Sequence, residues 1–421
     1  MSGSSIARQR VGAVCVLCAA TAMALPAQTF TTLFNFDGRN GLSPLGTLVN
    51  GINGDGYGTT YGGGTKGYGT VFKITPNGRL TTLYSFCSYP YAGLVLATNG
   101  YLYGTTEYGG ANCAPTGCGT VFKLSPDGTF TTLHSFCSES GCRDGEHPYA
   151  GLVQAFNEDG YGTTTGGGAT GHGTVFRITG TGTLTTLYSF TGGTDGGDPV
   201  AGLVQATNGY FYGTTEYGGS GANCASTGGC GTVFKIAPSG TLTTLYSFCA
   251  QGGCPDGESP GADLIQATDG NLYGTTNLGG ADGVGTIFRI TPGGTLTTLY
   301  SFTGADENPV AGLVQATNGE FYGTASVGGA SGDGAIFSLS VGLGPFVTTL
   351  PTSGDVGSPI TILGSDLTGA TSVGFNGTPA VFDVVSATEI TTTVPSGATT
   401  GTVQVVTPSG TLSSNVPFRV L

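Results

Sequence analysis

Between residues 93 and 136 apolar and polar positions alternate in four short runs, 93–98, 101–106, 119–125 and 130–136. Each has strand length and is rich in Val, Phe, Tyr, Leu and Thr, side chains that suit a pleated, half-buried surface. Asn99-Gly100 reads as a two-residue type I′ hairpin turn, since Asn-Gly tolerates positive φ at both centres. Pro126-Asp127-Gly128 is a second tight turn, and residues 107–118 form a longer loop rich in Gly and Cys. Four antiparallel strands in a row make a small twisted sheet that cannot cover both of its faces, so it needs neighbours of its own kind.

Those neighbours recur along the chain. Tyr-Gly-Thr-Thr begins at 57, 103, 161, 212 and 273 and returns as Tyr322-Gly-Thr-Ala. Gly-Thr-Val-Phe begins at 69, 119, 173 and 231, then varies to Gly285-Thr-Ile-Phe and Gly334-Ala-Ile-Phe. Two anchors that each appear six times define six units of roughly 50 residues, the length and strand content of a β-propeller blade. The Thr-Thr-Leu-aromatic strand is displaced: it begins at 31, 81, 131, 185, 243 and 297, so one copy precedes the first full unit. Residues 30–36 are therefore expected to supply the outer strand of the last blade and close the ring, which removes an unpaired edge. A rival count takes residues 346–350 as a seventh outer strand; they fit better as the start of a second domain.

Composition narrows the class. Gly reaches 80 of 421 residues without a Gly-X-Y period and clusters at turns, which excludes collagen and argues against a disordered chain. Twelve basic against 25 acidic residues give a net charge of −13. With no basic patch, this argues against nucleic acid and anionic membranes as partners. Residues 1–27 read as an export leader: Arg8 and Arg10, a short apolar run, then Leu25-Pro-Ala27 before Gln28. The run is short for a membrane span, and no second one follows, so no integral span is expected once the leader is removed.

Nine cysteines lie beyond the leader, eight of them in close pairs: Cys113 with Cys118, Cys137 with Cys142, Cys224 with Cys230, and Cys249 with Cys254. In an exported chain these read as disulfides. Zinc ligands more often come as C-x2-C pairs or with histidines nearby, so no metal is expected there. Cys87 is left over, free or paired between loops.

The order of strands puts the tight turns on one rim and the long loops on the other. Binding is expected on the long-loop face, where Glu107 and Glu216 open two of the loops. Asp144, Asp195 and Asp256 recur in the loops between units, in Asp-Gly segments that end in Pro148, Pro199 and Pro260. That pattern is first of all turn chemistry. Calcium would find oxygen ligands there, but the spacing of a dedicated calcium loop is absent, and no cofactor is expected otherwise. Gln154, Gln205, Gln266 and Gln315 recur in the first strand, where they either bond between blades or line a central channel. The three histidines, His134, His147 and His172, have no nucleophile or carboxylate at a catalytic spacing; His134 stands where the other outer strands carry tyrosine. No catalytic residue is singled out.

From residue 344 the repeat stops. Six short alternating strands in under 80 residues suggest a β-sandwich. Pro351-Thr-Ser-Gly354, Ile360-Thr-Ile-Leu-Gly364, Val373-Gly-Phe-Asn-Gly377 and Gly401-Thr-Val-Gln-Val closely resemble the IPT/TIG immunoglobulin-like domains over residues 345–421. The resemblance implies a spacing or interaction role outside the cell and no catalysis. The repeated units resemble the GloVer tandem-repeat family of exported bacterial proteins, carried by Gly-Leu-Val-Gln-Ala-Thr-Asn-Gly, Tyr-Gly-Thr-Thr, Gly-Thr-Val-Phe-Lys and Leu-Thr-Thr-Leu-Tyr-Ser-Phe. That implies a secreted or surface location without established enzymatic residues.

The sequence therefore reads as an all-β chain: leader 1–27, six-bladed propeller 28–341 and immunoglobulin-like sandwich 345–421. The expected function is recognition or adhesion, with an extracellular carbohydrate or a surface protein as partner. The alternatives are a polysaccharide lyase or hydrolase at the channel mouth and a structural envelope component. Converging carboxylates or histidines would favour an enzyme; a ring of amides and glycines would favour binding.

Overall fold

A computed structural model of the chain describes residues 32–51, 55–112, 117–221, 229–304, 309–328 and 334–421. The leader lies outside these residues. Among the described residues every regular element is a β-strand. Five four-stranded antiparallel sheets follow one another in sequence order and a three-stranded one completes the series. The second sheet runs Val95–Leu96, Leu102–Thr106, Thr120–Leu124 and Phe130–Ser135. The sixth has Val314–Gln315, Phe321–Ala325 and Ala335–Leu339.

The first strand of each unit is cut to two residues by its turn. Gly100 N–H bonds the Ala97 carbonyl and Ala97 N–H bonds the Tyr101 carbonyl, both at 2.9 Å. Of the Asn-Gly pair only Gly100 has positive φ, +80°. The hairpin is thus a three-residue loop, a type I turn closed by a left-handed glycine, and not the two-residue I′ form expected from the dipeptide. Asn99 acts through its side chain, whose Oδ1 accepts from Tyr101 N–H at 3.1 Å.

The repeated motifs have direct packing reasons. Phe72, Phe122, Phe176, Phe234 and Phe288 of the Gly-Thr-Val/Ile-Phe strands are buried. From Phe122 on, each ring meets the outer-strand phenylalanine of the unit before it, as Phe86 meets Phe122 at 5.2 Å and Phe248 meets Phe288 at 5.3 Å. The glycine of Tyr-Gly-Thr-Thr makes room for that ring: a Cβ on Gly213 would lie 2.7 Å from Phe234 Cζ. The second threonine of the motif forms a buried rung to the next strand, Thr164 to Thr174 at 2.8 Å and Thr215 to Thr232 at 2.9 Å. In the sixth sheet both rung positions are alanine, Ala325 opposite Ala335. Losing both partners together leaves no orphaned hydroxyl, which is the inexpensive way to lose a buried hydrogen bond.

Glutamines bind sheet to sheet. Gln154, Gln205, Gln266 and Gln315 Oε1 accept from the N–H groups of Thr98, Phe156, Thr207 and Thr268, at 3.1, 2.9, 2.8 and 3.1 Å. Each amide belongs to the preceding unit's turn, so of the two roles expected for these side chains the bond between units is the one seen.

The two ends of the series are open. Ile336 is 81% exposed and Tyr322 38%, where Val175 and Tyr212, their counterparts in other sheets, are 0%. At the other end Leu48 is 58% exposed, where its counterpart Leu264 is 5%. Residues 30 and 31 of the expected closing strand lie outside the described residues, and residues 32–36 form no strand. Their placement is nevertheless that of an outer strand beside the first unit. Leu33 O faces Gly78 as Leu83 O faces Gly128, and Phe36 meets Phe72 at 5.2 Å. Among the described residues no ladder joins this segment to Ala335–Leu339.

Residues 346–421 form two facing sheets around Val347, Ile362, Phe375, Ile390, Val405 and Phe418. Thr348–Leu350 pairs with Pro359–Leu363 inside this sandwich, so it is not a seventh outer strand. The sandwich sits against the tight-turn rim. Phe346 N–H bonds Thr317 O at 2.9 Å, and Arg419 Nη2 lies 2.5 Å from Glu158 Oε1.

Candidate functional site

On the opposite rim each loop between units lies across the loop of the following sheet, with bridges from Leu42 to Gly62, Glu146 to Gly166, Gly197 to Tyr217 and Glu258 to Leu278. Glycine at the head of each Gly-Thr-Val-Phe strand permits this crossing. Gly173 has φ +90°, and a Cβ there would lie 2.2 Å from Thr164 O.

The three aspartates of these loops are latches. Asp144 is buried, and its Oδ2 accepts from Ser138 N–H at 2.9 Å, Ser138 Oγ at 2.8 Å and His134 Nε2 at 2.9 Å. Burial works against the charge, but the Ser138 and His134 bonds outweigh it and hold this carboxyl below its ordinary range. Asp195 accepts from Tyr188 Oη at 3.0 Å and from Thr191 N–H at 2.9 Å. Asp256 accepts from Tyr246 Oη at 2.8 Å and from Ala250 N–H at 3.1 Å. Burial, then the Asp195 bond, pushes Tyr188 up to about 12. His134 is thus the counterpart of Tyr188 and Tyr246 and holds the same latch.

Two glutamates sit apart from the latches. Glu107 lies in a cluster of aromatic rings contributed by four loops of the first three units. Tyr61 stacks on Tyr89 at 4.6 Å and meets Tyr91 edge-on at 5.8 Å. Tyr91 meets Tyr149 at 4.0 Å, Tyr89 meets Tyr108 at 6.2 Å, and Tyr108 meets His147 at 5.1 Å. All of these tyrosines are half-buried, so their rings keep a face to solvent. His147 Nδ1 donates to the Glu107 carbonyl at 3.1 Å. The Glu107 carboxylate bonds Tyr108 and raises its pKa, while burial, followed by Tyr89 and Glu107, raises that of Tyr61.

Glu216 occupies the same place in the fourth unit, with a different neighbourhood. Burial raises its pKa, against a bond from Tyr217, and Asp198 adds to the rise. Asp198 is itself raised by burial, against the pull of His172. Two residues before the short first strands stand Gly93, Gly151, Gly202 and Gly312, with Thr47 in that place in the first unit and Asp263 in the fifth. Its Oδ1 accepts from Gly202 N–H at 2.6 Å. Water reaches this side chain, yet the protein around it raises its pKa, with Gly202 opposing.

Of the predicted disulfides, Cys137–Cys142 and Cys249–Cys254 are present. Cys118 and Cys230 are disulfide-bonded as well, while their expected partners, Cys113 and Cys224, lie outside the described residues. Cys87 is free and exposed. The tyrosine cluster and Asp263 escaped the sequence reading. Tyr91 and Tyr149 share one register, three residues before the Leu of Ala-Gly-Leu, and that shared position was the available signal.

The molecule is thus a tandem-repeat β-sheet protein that carries an immunoglobulin-like module. The chain belongs to the Gloeobacter/Verrucomicrobia repeat family, whose profile matches residues 20–227, 115–337 and 224–379. An IPT/TIG domain matches residues 345–420. No curated protein matches the chain. Among solved structures it is similar to a periplasmic gluconolactonase of Pseudomonas aeruginosa, with 16% identity, 80% of this chain and 99% of that one covered, and a TM-score of 0.41. A protein from Lactobacillus plantarum gives 15% identity, coverage of 84% and 85%, and a TM-score of 0.44. The extracellular domain of a one-component system of Bacteroides thetaiotaomicron gives 11% identity and a TM-score of 0.38, with 87% of this chain matched to 50% of that one. The disulfides and both families fit an extracellular protein, and among the described residues no helix is long and apolar enough to cross a membrane.

Proposed function

We propose that this is a secreted recognition protein that binds an extracellular polysaccharide on its long-loop face, through the tyrosine cluster around Glu107. The cluster carries the reading. Tyrosine presents an apolar ring face for the C–H side of a sugar and a hydroxyl for its oxygens, and Glu107 adds an acceptor beside them. The rings brace one another, so little side-chain freedom is lost on binding. Tyr61→Ala combined with Tyr91→Ala is expected to weaken binding about thirtyfold, the effect of a central aromatic anchor. Tyr210→Ala, an exposed tyrosine on the other rim, should leave binding unchanged. The measurement is a glycan array followed by titration of the best binder. Retention of no glycan, or equal binding by the double variant, overturns the reading.

A hydrolase or lyase is the second reading, favoured by Asp198 and Glu216, two neighbouring carboxyls with raised pKa values that suit acid–base work. It requires turnover of a polysaccharide that Glu216→Gln abolishes. Absence of turnover across the glycans that bind removes it.

The same proposal includes a closed ring of six blades, in which residues 30–36 pair with Ala335–Leu339 and the first sheet covers Tyr322 and Ile336. Leu33 and Phe36 support it by their place beside the first unit, as do the two uncovered apolar faces at the ends of the series. Phe34→Cys with Ile336→Cys places thiols at positions that are paired in every other unit, as Tyr84 pairs with Val71. An intramolecular cross-link in the monomer is expected. Cross-linking only between chains would mean that the ends join different molecules.

A further inference from the structure

The sulfur clusters at two loop crossings hold more than covalent staples. At the first, Cys118, Cys137 and Cys142 Sγ and a carboxylate oxygen of Glu146 all lie within 4.8 Å of one another. Cys230, Cys249, Cys254 and Glu258 repeat the arrangement two units later, again within 4.8 Å. In each, a loop between units brings two sulfurs and the acid, and the loop inside the preceding sheet brings the third sulfur. Glu146 Oε2 stands 3.6 Å from both Cys118 Sγ and Cys137 Sγ. A disulfide sulfur carries no hydrogen, so in the oxidised form neither sulfur has anything to donate to that oxygen. Three thiolates and a carboxylate around one point form a four-ligand set suited to a soft, tetrahedral divalent cation.

The scaffold around each cluster does not depend on the sulfur bonds. His147 N–H bonds Cys118 O at 2.8 Å, and Ser259 N–H bonds Cys230 O at 2.9 Å, which ties the two loops together by backbone alone. Within the outer loop, Cys142 N–H bonds Glu139 O at 2.9 Å and Gly145 N–H bonds Cys142 O at 2.9 Å. The Asp144 and Asp256 latches fix the same loops. Opening the disulfides would leave the sulfurs where they are, and a tetrahedral Zn2+ with bonds near 2.3 Å holds its sulfurs about 3.7 Å apart. The required movement is small.

We propose that each cluster is a redox-gated site for a thiolate-binding divalent cation of the Zn2+ class. A dithiol reductant gives two electrons and two protons to each disulfide and is itself oxidised to a disulfide. The freed thiols of Cys118, Cys137 and Cys142 then lose their protons to solvent as they bind the cation, and Glu146 completes the set. Cys230, Cys249, Cys254 and Glu258 do the same at the second site. Spacing alone did not signal this, because the third sulfur comes from a separate loop.

The test uses the full chain, reduced anaerobically with a phosphine, desalted and titrated with Co2+ and then Zn2+. Two equivalents of Co2+ per chain are expected, with thiolate-to-cobalt charge-transfer and tetrahedral d–d bands that Zn2+ displaces; the oxidised chain should show neither. Glu146→Gln should weaken one of the two equivalents by at least about tenfold, as the loss of even an outer partner does at metal sites. Far-UV circular dichroism reports the fold throughout. Fewer than one equivalent in a reduced chain that keeps its sheets overturns the proposal. So does equal binding by the oxidised chain, unchanged affinity in a Glu146→Gln, Glu258→Gln double variant, or loss of the sheets on reduction with cation present. Glycan binding by the oxidised chain is read separately and bears only on the tyrosine cluster.

Discussion

Phe234→Ala is expected to destabilise the fold by about 3–5 kcal/mol, the range for truncating a buried phenylalanine. Phe234 is fully buried, its ring lies 5.2 Å from Phe190 of the unit before it, and the Gly213 backbone closes the space against it. The site cannot collapse to fill the gap, because a neighbouring sheet fixes the position of every other wall. Denaturant titration of the oxidised protein measures the loss, with Val381→Ala at a 90% exposed position expected to stay within about 0.5 kcal/mol. A loss below about 1 kcal/mol for Phe234→Ala would mean that the phenylalanine column is not the main seam between units.

The second large effect is at Gly173. Alanine there pays twice. It takes a left-handed backbone conformation, costing roughly 1–2 kcal/mol, and its Cβ meets Thr164 O at 2.2 Å and Pro199 Cδ at 2.8 Å. Overpacking of that kind adds about 1–3 kcal/mol. A total of roughly 2–5 kcal/mol is expected, again from denaturant titration, together with disturbance of the loop crossing that carries Pro199. Gly100, at a turn where a Cβ would meet nothing within 4 Å, should lose only the conformational part. Equal losses at the two sites would show that backbone strain, not crowding, explains the repeated glycine.

Much of this architecture was readable from residues because each unit spells the same packing. The four strands, the burial of Phe and Tyr, the outer-strand status of His134 and the sandwich after residue 344 all follow from local patterns that repeat. The turn at Asn99-Gly100 was misread for a physical reason. Asn99 has two ways to serve a hairpin, and its side-chain bond to Tyr101 N–H leaves only Gly100 in the left-handed region. The glutamines were legible as a recurring feature and as bonds between units but not in their individual partners, since the partner of Gln205 is the amide of Phe156, 49 residues earlier. The tyrosine cluster was harder still. Its rings come from four loops that are distant in sequence, and nothing local marks Tyr61 as a neighbour of Tyr89. Asp263 stands where four of the six units have glycine and the first has Thr47, and its chemistry depends on the strand beside it.

The alanine pair in the sixth sheet, Ala325 opposite Ala335, bears on how such a chain can change its length. From the third unit to the fifth the junctions share one vocabulary of phenylalanine, glycine and glutamine, so duplicating or deleting an interior copy of the unit yields junctions that are already solved. The terminal copy keeps Gln315 and Phe337 at its junction with the fifth unit but has dropped the threonine rung within its own sheet, and moved inward it would leave one sheet without that buried bond. Growth and loss by recombination would therefore act on the middle of the array, while its last member stays last.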